Sequence, residues 1–170
     1  MAKHGIVRTD NLHGTKDGAD LVSIRYKESS VNVAIDNGNF CTIGAYETGE
    51  REVRVGGKPA ANTSIHNLCL IASEEVDKAK AYTALGDFEN KAGAICRGYK
   101  VDSHGFFALT EEAFEKGVGV TPTVGTSILE AQAKTKALLV NAATSGSTKI
   151  ADLVAIEASG GETWYVFETL

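Results

Sequence analysis

The sequence predicts a mainly β protein, a β-barrel or sandwich with one or two short helices and an extended N-terminal arm. Short runs of alternating apolar and polar residues recur after position 20, with turn-forming residues between them at near-regular spacing. The clearest hairpin closes the chain, where runs rich in β-branched and aromatic residues flank Gly160 and Gly161. The only tryptophan, Trp164, lies in this hairpin, so we expect the hairpin to cap or close the main core.

Strands are predicted at 21–27, 31–35, 40–46 and 51–57 because apolar side chains alternate there with polar ones. The Asn-Gly pair at positions 37 and 38 predicts a turn that joins the second and third of these strands as a hairpin. A further, central strand is expected within 64–73.

Residues 73–100 are the least strand-like part of the chain, and a loop and helix insert is predicted around 73–117. Ser73 with two following glutamates indicates a helix start, and Thr110 opens a second short helix that Gly117 ends. Between them, we expect an ordered loop over 86–101 and a short strand over 104–110.

Residues 127–142 fit two structures. Ser127 and Glu130 match a helical capping box, yet alternating residues and a possible turn at 134–136 fit a pair of strands. Because the chain on both sides is strand-like, two strands are the preferred prediction.

Two parts are predicted: a flexible N-terminal arm (1–20) and one β-rich globular domain (21–170). Beyond Met1, the arm's sizeable apolar side chains are Ile6, Val7 and Leu12, too few to offset the entropy of ordering. The arm is either a frayed terminus or a segment that orders on a partner, adding residues 6–8 to a foreign sheet edge.

Charge and hydropathy exclude some partners. The net charge of −5 and the lack of any Lys/Arg-rich run give no support to nucleic acid or an anionic membrane as partner. No signal-peptide pattern and no apolar run near the roughly 18 residues of a membrane span is present. We therefore expect a soluble protein made without a secretory signal.

The residues that could carry chemistry form no known pattern. Cys41, Cys69 and Cys96 are widely spaced, which fits reduced, buried thiols better than disulfides or a zinc knuckle. Cys96 with His104 is the nearest nucleophile and base combination, but a buried thiol is favoured. The four histidines, at positions 4, 13, 66 and 104, lack metal-ligand spacing. The prediction is no enzyme, no cofactor and no metal.

Three stretches carry a resemblance to a known family: KHGIVRTDNLHGT near the start, DFENKAGAICRGYKV in the middle and DLVAIEASGGETWYVFE at the end. In these, the chain resembles small capsid decoration (head cement) proteins of tailed bacteriophages. Such proteins are compact, β-rich and often trimeric, with N-terminal segments that order on the capsid. This chain is longer than the smallest of them, which leaves room for a second subdomain.

The resemblance implies a non-enzymatic virion protein that is made in the host cytoplasm, binds the outer surface of the capsid and stabilises contacts between major capsid subunits. It implies the major capsid protein and a homo-trimer or other homo-oligomer as partners. A phage tail-tube or baseplate protein is the alternative, and a small cysteine enzyme using Cys96 is less favoured. The implied capsid contacts lie in the arm, at Lys3, His4, Ile6, Val7, Arg8, Leu12 and His13.

Overall fold

The computed structural model describes residues 3–8, 12, 20–76, 85–101 and 105–169. It confirms the predicted fold class: strands dominate, and the helices among the described residues are single 3₁₀ turns. The strands form two sheets, a closed five-stranded barrel with one short extra strand and a curled, open six-stranded sheet. None of the helices in these ranges is long and apolar enough to cross a membrane.

The barrel takes the first half of the chain. Strand β1 pairs in parallel with β4 and antiparallel with β6, and this double pairing closes the ring in the order β1-β4-β3-β5-β6. The short strand β2 extends β1 as a hairpin. The bounds are β1 (Leu21–Glu28), β2 (Val31–Asn32), β3 (Phe40–Tyr46), β4 (Val53–Gly57), β5 (Leu68–Ile71) and β6 (Ile95–Lys100).

The barrel interior is a small core of its own. Its side chains come from alternate positions of the strands, which is why each strand shows period-two patterning. Glycines fit where neighbouring side chains come close: a Cβ on Gly98 would lie 2.9 Å from both Cys69 Sγ and Val22 Cγ2. The buried members of this interior are Ile24, Tyr26, Ile35, Cys41, Cys69, Ile71 and Cys96.

The second half of the chain forms the open sheet, in the order β7-β12-β11-β9-β10-β8. All neighbours are antiparallel except β8 and β10. The predicted closing hairpin is confirmed as β11 and β12, joined by Gly160 and Gly161 with φ of 64° and 84°. The bounds are β7 (Phe106–Leu109), β8 (Phe114–Lys116), β9 (Ile128–Gln132), β10 (Lys134–Val140), β11 (Lys149–Ser159) and β12 (Glu162–Thr169).

The main core lies between the outer wall of the barrel and one face of the open sheet. Phe40, Leu68 and Leu70 point away from the barrel interior into this core, where they meet aromatic residues of the open sheet. Phe107 stacks on Phe167 with ring centroids 5.5 Å apart. Strand β5 therefore has one face in each core, so all four of its residues are buried.

Several sequence predictions are corrected. Strands β2 and β3 do not form a hairpin, because β3 pairs with β4 and β5. The loop expected over 86–101 contains β6, which pairs on both sides despite Gly98. The helix expected after Thr110 is a 3₁₀ turn (Glu111–Ala113) that continues as β8.

Three further predictions concern residues 127–142, the helix expected after Ser73 and the closing hairpin. The two strands preferred for 127–142 are confirmed as β9 and β10. Residues 73–76 are not helical, and the rest of the helix expected there lies outside the described residues. The closing hairpin does cover the main core, through Leu153, Tyr165 and Phe167, whereas Trp164 packs with Ile6 and Ala108 in a separate small cluster.

Candidate functional site

Residues 3–8, which we call the N-terminal strap, are fixed to two parts of the protein by main-chain hydrogen bonds. The amide of His4 donates to the carbonyl of Gly86 at 3.0 Å, in the loop before β6. The amide of Thr110 donates to the carbonyl of Ile6 at 3.2 Å, and the amide of Arg8 donates to that of Ala108 at 3.0 Å. The strap thereby continues the open sheet beyond its edge strand β7.

The position of the strap differs from the expectation of a free arm. Ile6, Val7 and Leu12 are buried in the protein's own cores, because β7 supplies both an unpaired edge and an apolar surface. The edge that the sequence analysis assigned to a partner is therefore an edge of the same chain, bridged by Val7 and Leu109.

The predicted contact residues thus fall into two groups. Apolar members of the strap face inward, whereas the Lys3 side chain is largely exposed and lies 3.9 Å from Glu162. Arg8 pairs with Glu157 at 3.1 Å on the surface, and the His4 side chain is partly exposed. His13, the last predicted contact, lies outside the described residues.

A cavity of about 330 Å³ opens beside the strap. Ile6, Trp164 and Leu85 supply apolar walls, and the Leu85 side chain remains exposed. Trp164 Nε1 donates to the carbonyl of Ser159 at 3.1 Å, which fixes the indole ring in the wall. The lining also includes His4 and charged residues of both signs: Lys3, Asp87, Glu112 and Glu162.

Near the start of the strap, the His4 side chain lies beside two carboxylates. His4 Nδ1 lies 2.8 Å from Asp36 Oδ1, and potential ligand atoms of His4, Asp36 and Glu89 all lie within 4.8 Å of one another. The sequence predicts no metal site here, because these residues are far apart in the chain and only folding brings them together. No spacing rule could have found them.

A buried amide supports two members of this cluster. Asn37, beside Asp36, accepts hydrogen bonds from the amide of Ser73 at 2.9 Å and from Asn90 Nδ2 at 3.0 Å. Its own Nδ2 donates to the Ser73 carbonyl at 2.9 Å. Ile35 and Asn90 also exchange two main-chain hydrogen bonds, so the positions of Asp36 and Glu89 are fixed relative to each other.

The three cysteines are free thiols in the barrel interior, as the sequence predicted. Cys41 and Cys69 are cross-strand partners with sulfur atoms 3.4 Å apart. Burial raises the pKa of the Cys96 thiol to about 11, so this group is protonated at neutral pH. A raised pKa disfavours the thiolate form through which a cysteine nucleophile acts. The suggested base, His104, lies outside the described residues.

A shallow groove on the barrel collects basic side chains in an otherwise acidic protein. Arg54 stacks over the ring of Tyr46 at 4.1 Å and donates to the carbonyl of Gly44 at 3.1 Å. Arg51, His66 and Lys100 also line this groove, together with one acid, Glu52. His66 is exposed there, in a 3₁₀ turn before β5.

The sequence matches no family model, and the searches of curated proteins and of solved structures find no match.

Proposed function

We propose that the protein is a non-enzymatic structural component of a tailed-phage virion that binds the outer surface of the capsid and stabilises contacts between major capsid subunits. The observation that carries this proposal is the cavity beside the N-terminal strap. The cavity adjoins the strap, whose residues the resemblance to decoration proteins predicts as capsid contacts. The apolar side chains of the strap are buried, so the contact surface is the cavity and its charged rim.

The composition of the cavity suits a protein partner. Protein interfaces commonly have an apolar centre and a polar rim, and most of their binding energy comes from a few side chains inserted into pockets. Here Leu85, Ile6 and Trp164 provide the apolar centre, and Lys3 and Glu162 belong to the charged rim. A volume of about 330 Å³ admits one or two large side chains of a capsid subunit.

The face around the cavity is preformed. The strap is hydrogen-bonded to the loop before β6 and to β7, so one wall of the cavity is fixed before any partner arrives. A preformed face loses less conformational entropy on binding than an arm that must fold on contact. Repeated on a capsid lattice, and in a homo-oligomer, even weak contacts of this kind give strong overall binding.

The test is cosedimentation of the purified protein with undecorated heads from a panel of tailed phages. We expect saturable binding, and we expect Leu85→Glu to weaken it by at least tenfold because a charge would enter the apolar centre. Val118→Glu is the matched control: Val118 is fully exposed in the turn after β8 and does not line the cavity.

Saturable binding that Leu85→Glu weakens and Val118→Glu leaves unchanged would support the proposal. Failure of the folded wild-type protein to bind any of the heads would overturn it. Equal binding by the wild type and both variants would show that the cavity is not the contact face.

A further inference from the structure

We propose that His4, Asp36 and Glu89 bind a divalent transition-metal cation, zinc or a metal of similar ligand preference, and that this cation fastens the N-terminal strap to the barrel. The proposal is independent of capsid binding. It rests on ligand geometry, on the charge of the cluster and on the way its members are held.

The geometry is close to that of a metal site. Zinc binds histidine nitrogen and carboxylate oxygen at about 2.0–2.2 Å, which places tetrahedral ligand atoms roughly 3.3 Å apart. The His4 and Asp36 atoms are 2.8 Å apart, and all three ligand atoms fall within 4.8 Å. To reach this spacing, the atoms would need to approach one another by at most about 1.5 Å. The three residues are partly exposed, so the cluster is open to an ion from solvent.

The charge of the cluster favours a cation. Two carboxylates face one imidazole, and His4 is the ion-pair partner of Asp36. Even with His4 protonated, the cluster keeps an excess negative charge. A divalent cation would neutralise both carboxylates and would replace the proton between His4 Nδ1 and Asp36, leaving the imidazole neutral.

The supporting contacts reduce the cost of assembling the ligands. Asp36 and Glu89 each adjoin a residue of the Asn37–Asn90 hydrogen bond, which is buried. His4 is held through its own amide, which donates to Gly86. Metal sites depend on such surrounding hydrogen bonds to orient their ligands.

The mixed nitrogen and oxygen ligands select the class of metal. Magnesium and calcium prefer ligand sets made of oxygen, whereas imidazole with carboxylates suits zinc and neighbouring transition metals. Three protein ligands leave at least one coordination position for water or for a ligand from another molecule. Because His4 belongs to the strap and the carboxylates lie on the barrel side, a bound ion would join the two.

The experiment is a calorimetric titration of the whole chain with zinc chloride, repeated with magnesium chloride. We expect one zinc ion to bind per chain and a rise in the thermal midpoint with zinc. Glu89→Gln and Asp36→Asn keep the side-chain shapes, remove a charged ligand and should each lower the zinc affinity at least tenfold. His66→Gln is the control, because it removes an exposed histidine away from the cluster.

Zinc binding that both cluster variants weaken and the control retains would support the site, as would the absence of comparable magnesium binding. If the folded wild type binds no zinc below millimolar concentrations, the cluster is only an ion pair and the proposal fails. It also fails if Glu89→Gln binds zinc as well as the wild type does. Circular dichroism of each variant would establish that it is folded.

Discussion

The two sheets of this protein differ in whether they have edge strands. The barrel closes because β1 pairs with both β4 and β6, so its ring has no free edge. The second sheet stays open, and the strap covers part of its β7 edge with main-chain hydrogen bonds. The surface features that we connect with function, the strap and its cavity, thus arise at the edge of the open sheet.

The cores of the two sheets also differ, in whether a sheet needs its neighbour to bury its apolar side chains. The barrel encloses a small interior that contains the three thiols and needs no other sheet to cover it. The apolar face of the open sheet is buried only because the outer wall of the barrel packs on it. We infer that the open sheet depends on the barrel more than the barrel depends on the open sheet.

The largest effect is expected from loss of a large side chain in the main core, where the barrel packs on the open sheet. Such a loss should make the open sheet unfold before the barrel. Phe167→Ala removes a fully buried ring that contacts Phe107 and Phe114, at a cost of about 4 kcal/mol in unfolding free energy. Urea unfolding should be followed with two probes: Trp164 fluorescence for the open sheet and thiol labelling for the barrel. We expect the fluorescence change at lower urea than the labelling.

The control for this variant is Phe106→Ala, on the same strand as Phe107 but with its side chain 47% exposed. Its effect should stay within about 0.5 kcal/mol. Coincident transitions for the two probes in Phe167→Ala would mean that both sheets unfold as one unit, and the inferred dependence would be wrong.

A smaller effect is expected from crowding the barrel wall. Gly98→Ala places a methyl group 2.9 Å from Cys69 Sγ and Val22 Cγ2, and such overpacking costs about 2 kcal/mol. Thiol labelling should become faster in this variant while Trp164 fluorescence keeps its native value in the absence of urea.

Gly86→Ala is the matched substitution in an open position, where the new carbon would lie no closer than 3.8 Å to its nearest neighbour. We expect a change within about 0.5 kcal/mol. Equal losses for the two alanine variants would show that the close fit of the barrel wall is not the cause.

Alkaline pH should weaken the barrel by the smallest amount. Burial raises the pKa values of Tyr26 and Cys96, and the pKa of Cys41 is raised first by its hydrogen bond with Cys69 and then by burial. The folded state therefore holds protons that the unfolded chain releases above about pH 9, and stability falls as pH rises from there.

For Cys96, with a folded pKa of about 11, the loss between pH 8 and pH 10 is about 1.4 kcal/mol in unfolding free energy. Urea titrations at these two pH values would measure it. Cys96→Ala should show a decline that is shallower by this amount, and an equal slope for the variant would contradict the assignment.

The sequence by itself determined the elements whose cause is local. Alternation of apolar residues predicted β1, β3 and β4, and the Gly160-Gly161 pair predicted the last hairpin, because glycine reaches the positive φ angles that this turn needs. The choice of two strands for 127–142 followed from the strand-like sequence on both sides of this segment.

Only the tertiary structure decided how the strands pair and where the surface sites lie. Ser127 and Glu130 resemble a capping box, but folding gives them distant partners, Asn141 at 2.6 Å and the Thr144 amide at 2.8 Å, and the segment becomes a strand. The parallel pairing of β1 with β4 and the fit of Gly98 in β6 depend on residues remote in sequence.

The same reason explains the strap and the cluster at His4. The few apolar side chains of the first twelve residues are not enough to form a core, so the sequence predicted a free arm. The structure supplies the missing surface from β7 and Trp164, and it brings His4 to Asp36 and Glu89. Long-range contacts of this kind leave no period or spacing in the sequence, because each requires a surface that only the folded chain provides.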